Sequence, residues 1–312
     1  MRVVKVCYRE PPDCRTARIS SLTSFRLLLT LLVTVVAVTL VAQGTRRRGL
    51  LPSLLQQPAP GSAPRTAGGA GEVLARQTLA ALILGVALLV SVAAPIGAFG
   101  LEVSPDLNDL SYPQLFTLHA LFACTLLALY AVGYLPDVRR STSLWSQYGF
   151  RARAIGRELL LGAGAGLAIW FAVIALLLIL QVVVTVFEGS QSLPQEPPPM
   201  VLWMAGLPVV VRVAVSLSAG FFEETFFRGL LQPRVGVPLS TVFFALAHLS
   251  YNQPFMLVGV TLLSVFFSFL LVWRQSIWAA IAAHSTFDLI QLLVVIPLVS
   301  RVLQDEQALS AL

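Results

Sequence analysis

Apolar residues in this chain neither alternate nor recur on a single helical face. They come in unbroken blocks at 27–42, 79–99, 115–135, 159–187, 201–231, 237–249, 255–273 and 277–299. A helix apolar all round needs a core or a bilayer to surround it. About 20 residues at a rise of 1.5 Å each cross a hydrocarbon layer of about 30 Å. The pattern therefore predicts an all-α, polytopic helical membrane protein with about eight transmembrane helices. Block 79–99 should kink near Pro95, whose nitrogen has no hydrogen to donate. Block 237–249 is short, crossing only about 20 Å as a helix.

The stretches between the blocks set the domain plan. Residues 1–20 form a basic N-terminal tail and 21–43 an N-terminal hydrophobic helix, followed by the stop-transfer-like sequence Gly-Thr-Arg-Arg-Arg at 44–48. Residues 44–77 read as a flexible Pro/Gly/Arg linker, 78–300 as the intramembrane domain, and 301–312 as a C-terminal tail. Segment 137–157 mixes five arginines with Trp145, Tyr148 and Phe150, a composition suited to an amphipathic stretch lying in the membrane interface. Counting positive charge, that segment is cytoplasmic and the acidic loops at 100–110 and 188–196 are external. The first hydrophobic helix then has basic residues on both sides, and its direction stays open.

Composition agrees with the pattern. The chain is 57% hydrophobic and 12% charged, against about 25% charged in soluble domains. Its net charge of +6 comes from arginine, Lys5 being the sole lysine. The charge sits in loops, where it contacts the lipid bilayer, and no nucleic-acid-binding module is present. Cys7, Cys14 and Cys124 do not have the spacing of a disulfide or CxxC framework.

One block breaks the apolar rule. Residues 220–233 read Gly-Phe-Phe-Glu-Glu-Thr-Phe-Phe-Arg-Gly-Leu-Leu-Gln-Pro. A carboxylate at bilayer depth costs roughly 2.5–3.5 kcal/mol even on insertion scales, so Glu223 and Glu224 need partners or water. Glu224 and Arg228 stand at i,i+4 and can pair; Glu223 is rotated about 100° away and is available for chemistry. A structural ion pair locking helices together is the plainer alternative. Two further blocks carry Phe244-Ala-Leu-Ala-His248 and His284-Ser-Thr-Phe-Asp288, each with two functional side chains one turn apart. A carboxylate in an apolar pocket makes a general base, and histidines can hold a water or stabilise an oxyanion. The set describes peptide-bond hydrolysis without a covalent intermediate. No HExxH, GxSG-type or GxGD sequence supplies a competing protease chemistry. Zinc held by Glu223, His248 and His284 is a chemical option, though no cofactor is expected to be obligatory. His119, Cys124, Arg212 and Ser218 read as structural.

These three motifs resemble EExxxR, FxxxH and HxxxN/D of the CAAX protease and bacteriocin-processing (Abi, Ras-converting-enzyme-type) family of intramembrane proteases. They occur in that family's order within 218–291, with looser similarity at 145–150. The resemblance implies an intramembrane core of eight helices and an intramembrane glutamate-type endopeptidase of the bacterial cytoplasmic membrane, spanning it several times. Its substrate would be a membrane-associated protein or peptide, prenylated or not. The resemblance assigns Glu223 as general base, His248 as water holder, His284 and Asp288 to the oxyanion side, and Glu224, Arg228 and Phe244 to support. Asp288 stands where CAAX enzymes of eukaryotes carry Asn; an ionised Asp cannot donate to an oxyanion and is better suited to orienting His284. The alternative is a non-enzymatic partner-binding or bacteriocin-immunity protein on the same fold. A transporter should show more polar residues along the other spans.

Overall fold

The computed structural model describes residues 70–98, 111–131, 148–150, 154–189, 199–249 and 254–310. The first hydrophobic block and the tail before it lie outside the described residues, as does most of 137–157. Among the described residues there are helices and short connections and no strand.

Helix α1 begins at Ala70 (Ala70–Leu88), inside the stretch expected to be linker, and continues through a wide π-turn, Leu89–Ala93, into Ala94–Ala98. The wide turn is the form taken by the expected kink. Immediately before Pro95, which cannot donate, the Ala94 amide reaches back to Leu89 O. Helix α2 (Thr117–Ala131) is opened by a 3₁₀ turn, Tyr112–Phe116, which Ser111 and Gln114 close as a capping box. Helix α3 (Ile155–Glu188) is the longest and ends at Gly189, whose φ of 84° suits a residue with no Cβ.

Block 201–231 is not one helix. It divides into α4 (Pro199–Gly206) and α5 (Val209–Glu223), because Pro208 is extended (φ −53°, ψ 141°) and disfavours helix at the residue before it. Helix α5 runs on into a second π-turn, Glu224–Leu231, and then into α6 (Gln232–Ala247), which breaks at Gly236 (φ 83°). Helices α7 (Pro254–Arg274) and α8 (Ile277–Ile290) follow; α8 passes through a third π-turn, Gln291–Val295, into α9 (Ile296–Ser310). The expected C-terminal tail is thus helical to Ser310.

Among the described residues five helices are long and apolar enough to cross a membrane: Thr78–Ile96, Tyr112–Ala131, Ile155–Phe187, Met256–Arg274 and Ile277–Val302. Of the eight or so expected blocks, the first lies outside the described residues and two of the others do not qualify on length and polarity. Val235–Ala247 is too short, and α5 with its π-turn carries Arg212, Glu223, Glu224 and Arg228. The two that fail as simple spans hold both glutamates, Arg228 and Phe244. Leu82, Val86 and Leu89 on α1, and Leu178, Val182 and Val186 on α3, face outward, as lipid-facing residues do.

Lipid tails give helices no hydrophobic reason to associate, so close backbone packing must do more of the work. Helix α8 lies at the centre, against α3, α5 and α7. A Cβ added at Gly162 or Gly166 of α3 would run into the α8 backbone at Ala279 or Ala283, and one at Gly220 of α5 would meet Ser285. Two apolar clusters flank the glutamates. The first contains Phe122, Leu129, Phe226, Phe227 and Phe244; the second contains Val173, Phe267, Leu270, Ala283 and Phe287. Tyr148 and Phe150, expected on an interfacial segment, pack against the helices of the bundle. Tyr148 is buried and its hydroxyl donates to Leu126 O (2.9 Å), Gly149 O accepts from the Ile277 amide (2.9 Å), and Phe150 packs on Phe221 and Trp278. Glu158 near the start of α3 accepts from Arg274 Nε at the end of α7 (3.0 Å).

Candidate active site

The site is built on the π-turn of α5. In an α-helix residues 223–231 would present one face inward; here all eight residues from Glu224 to Leu231 are buried, so side chains leave in every direction into protein. Gly229 permits this, because a Cβ there would press within 2.6 Å of Tyr148 O. Single π-turns recur at functional sites, and this one lets adjacent glutamates enter different networks.

Glu224 points into a sealed pocket. Its Oε2 lies 3.2 Å from Arg228 Nε, and both side chains are 0% exposed. This is a charge contact without aligned hydrogen-bond geometry. The guanidinium lies 4.1 Å from the ring centre of Phe244 and 5.6 Å from that of Phe267, and donates to Ser264 O at 3.4 Å. On its other oxygen, Glu224 Oε1 is 2.8 Å from His284 Nδ1. His284 Nε2 in turn is 3.4 Å from Asp288 Oδ2, one helical turn on. Both nitrogens of His284 thus face carboxyl oxygens, and its ring is stacked on Phe267 at 4.9 Å.

Glu223 faces the more open side. Its Oε2 lies 3.8 Å from His248 Nε2, and its Oε1 lies 3.6 Å from His119 Nε2. His248 sits where α6 ends, at φ −100°, and its Nδ1 is 2.8 Å from Phe244 O. A carbonyl only accepts, so Nδ1 donates to Phe244 O and Nε2 is the nitrogen turned to Glu223. Phe244 therefore has two roles: its carbonyl fixes the His248 ring, and its own ring covers Arg228.

The structure brings together every residue singled out from the sequence, in two linked groups: Glu223 with His248, and Arg228–Glu224–His284–Asp288. It does not bring Glu223, His248 and His284 together as a metal triad, because His284 is taken up by Glu224. Among the described residues no three of His, Cys, Asp and Glu converge so that they could hold a metal ion. His119 and Ser218, read as structural from sequence, belong to the site: Ser218 Oγ lies 2.9 Å from His119 Nδ1. The available signal was that His119 is one of only three histidines and lies in an apolar block. Arg212 is structural as expected of its position: it donates to Leu292 O (3.0 Å) at the third π-turn.

No curated protein and no solved structure matches the chain. Residues 205–290 match the family model described as Rce1-like, type II CAAX prenyl endopeptidase Rce1-like. That segment begins in α4, holds the π-turn with both glutamates, and ends with α8. Five long apolar helices point to a multi-pass, all-α membrane protein, and its segment 205–290 is similar to the type II CAAX prenyl endopeptidase Rce1-like family.

Proposed function

We propose that the chain is an intramembrane endopeptidase that hydrolyses a peptide bond in a membrane-associated protein or peptide, with water activated by Glu223. The observation that carries this reading is the separation of roles between two neighbouring glutamates. Glu224 is spent on Arg228 and His284 in a sealed pocket, whereas Glu223 Oε2 and His248 Nε2 stand 3.8 Å apart on the more exposed side. That gap is wider than a direct hydrogen bond and suits one water bridging the two.

In the reaction this water attacks the carbonyl carbon of the scissile bond while Glu223 Oε2 takes one of its protons. The carbonyl electrons move to oxygen, and the positive charge that His284 carries when both its nitrogens donate, to Glu224 and to Asp288, offsets the charge formed there. Collapse of the intermediate breaks the C–N bond, and Glu223 returns the proton to the leaving nitrogen. The products are one carboxylic acid and one amine, and Glu223 is again ionised. Asp288, whose side chain is 26% exposed, orients His284 through Nε2 and is the most exposed member of the Glu224–His284–Asp288 chain.

The test compares peptide termini across the membrane and secreted proteins of cells carrying equal amounts of the wild-type chain or Glu223→Ala. Termini found only with wild type are expected. Identical termini in both would overturn the reading.

A further inference from the structure

His119 lies on α2, far along the chain from the three motifs, and outside the 205–290 segment. It nevertheless completes the surroundings of Glu223. We infer that His119 is a positioning residue for the general base: it holds Glu223 Oε1, so that Oε2 is the oxygen turned to His248 and the water. This rests on the protease reading for its consequence, but the pairing itself is testable without it.

Three observations carry the inference. First, the two carboxylate oxygens of Glu223 are divided between two histidines, Oε1 to His119 at 3.6 Å and Oε2 to His248 at 3.8 Å, each through Nε2. Second, both imidazoles are fixed from behind at Nδ1. His248 Nδ1 donates to Phe244 O, and His119 Nδ1 meets Ser218 Oγ at 2.9 Å. The Ser218 hydroxyl has two acceptors within reach, His119 Nδ1 at 2.9 Å and Val215 O at 3.0 Å. A carboxylate only accepts, so the hydrogen facing Oε1 is on Nε2, and Nδ1 accepts from the Ser218 hydroxyl. Third, the ring has little freedom. His119 is buried, stacked on Phe222 (6.3 Å, 20° between planes) and edge-on to Phe116 (6.2 Å).

The arrangement gives Glu223 something that its own helix lacks. A carboxylate on a flexible stem presents either oxygen; contacts at both make the choice definite, and definite placement is worth large factors in rate when the reacting atoms must meet at short range. Ser218 and Glu223 sit on the same helix α5, so helix α2 is clipped to α5 through one ring, at the base of the catalytic carboxylate. Packing alone would be served equally by phenylalanine at 119. Positioning needs a polar group facing Oε1.

Two measurements on the full chain in detergent or vesicles decide it. With three histidines in the sequence, ring-¹⁵N labelling gives a spectrum assignable by single substitutions. Glu223→Gln should shift the Nε2 resonances of both His119 and His248, and Ser218→Ala should shift the Nδ1 resonance of His119 alone. A His119 signal indifferent to Glu223→Gln overturns the pairing. The second measurement is turnover of the bond identified by the terminus comparison, presented as a synthetic peptide. His119→Phe should lower kcat about 10–100-fold with KM little changed, and His119→Gln, which keeps a polar group at that place, should recover part of the loss. Equal kcat for wild type and His119→Phe overturns the inference in favour of packing. If the wild-type chain yields no specific termini, the protease reading fails, and the ¹⁵N spectra still decide whether His119 holds Glu223.

Discussion

The Glu224–Arg228 pair gives the sharpest energetic prediction. Both side chains are wholly buried, their charged atoms are 3.2 Å apart, and Arg228 also lies over the Phe244 ring at 4.1 Å. Removing one member of such a pair leaves a charge buried without its counter-charge, which costs about 3–5 kcal/mol, whereas replacing both by well-packed neutral groups is far milder. The desolvated cation–π contact adds about 2 kcal/mol to what Arg228 loses. Glu224→Gln should therefore destabilise the fold by about 3–5 kcal/mol and Arg228→Met by about 5–7 kcal/mol, while the double variant should cost no more than Arg228→Met alone. The assay is reversible unfolding in mixed micelles of increasing SDS fraction, read by fluorescence of the five tryptophans. Losses that add to within about 0.5 kcal/mol would refute the reasoning, since uncoupled residues add to that precision.

Three further outcomes follow from the packing. Gly166→Ala should destabilise by about 1–3 kcal/mol, because its Cβ would run into Ala283 on α8, whereas Gly164→Ala two residues away, with open space at its Cβ, should be neutral or slightly stabilising in the same unfolding assay. Tyr148→Phe should cost about 1–3 kcal/mol, since the buried Leu126 carbonyl loses the phenol donor, and limited proteolysis near the 148–150 turn should quicken. Glu223→Gln, which removes the base and keeps the shape, should lower kcat for the scissile peptide by about 10²–10⁴-fold while leaving the unfolding midpoint nearly unchanged.

Much of this site was legible in the sequence because its parts announce themselves locally. Glu224 with Arg228, Phe244 with His248, and His284 with Asp288 are all one turn apart, and charge inside an apolar block is conspicuous whatever the fold. What was not legible depends on backbone detail or on distance along the chain. The π-turn over Glu224–Leu231 has no sequence signature; it is held by burial on all sides and by the fit of Gly229 against Tyr148. The break between α4 and α5 was written in Pro208 but masked by the length of the apolar run. His119 looked structural because its partners, Ser218 and Glu223, lie on another helix. The pairing of His284 with Glu224, which breaks up the Glu223–His248–His284 metal set, follows from how α8 packs on α5, and no spacing within either helix reports that.

The central claim is that Glu223 activates the water while Glu224 holds the architecture. The most direct measurement reconstitutes the purified wild-type chain and Glu223→Gln in vesicles with the peptide spanning the bond found by the terminus comparison. It follows new termini by mass spectrometry over many turnovers. The account predicts multiple turnovers by wild type and a rate at least about 10²-fold lower for Glu223→Gln at unchanged unfolding midpoint. Equal rates from the two proteins would contradict it.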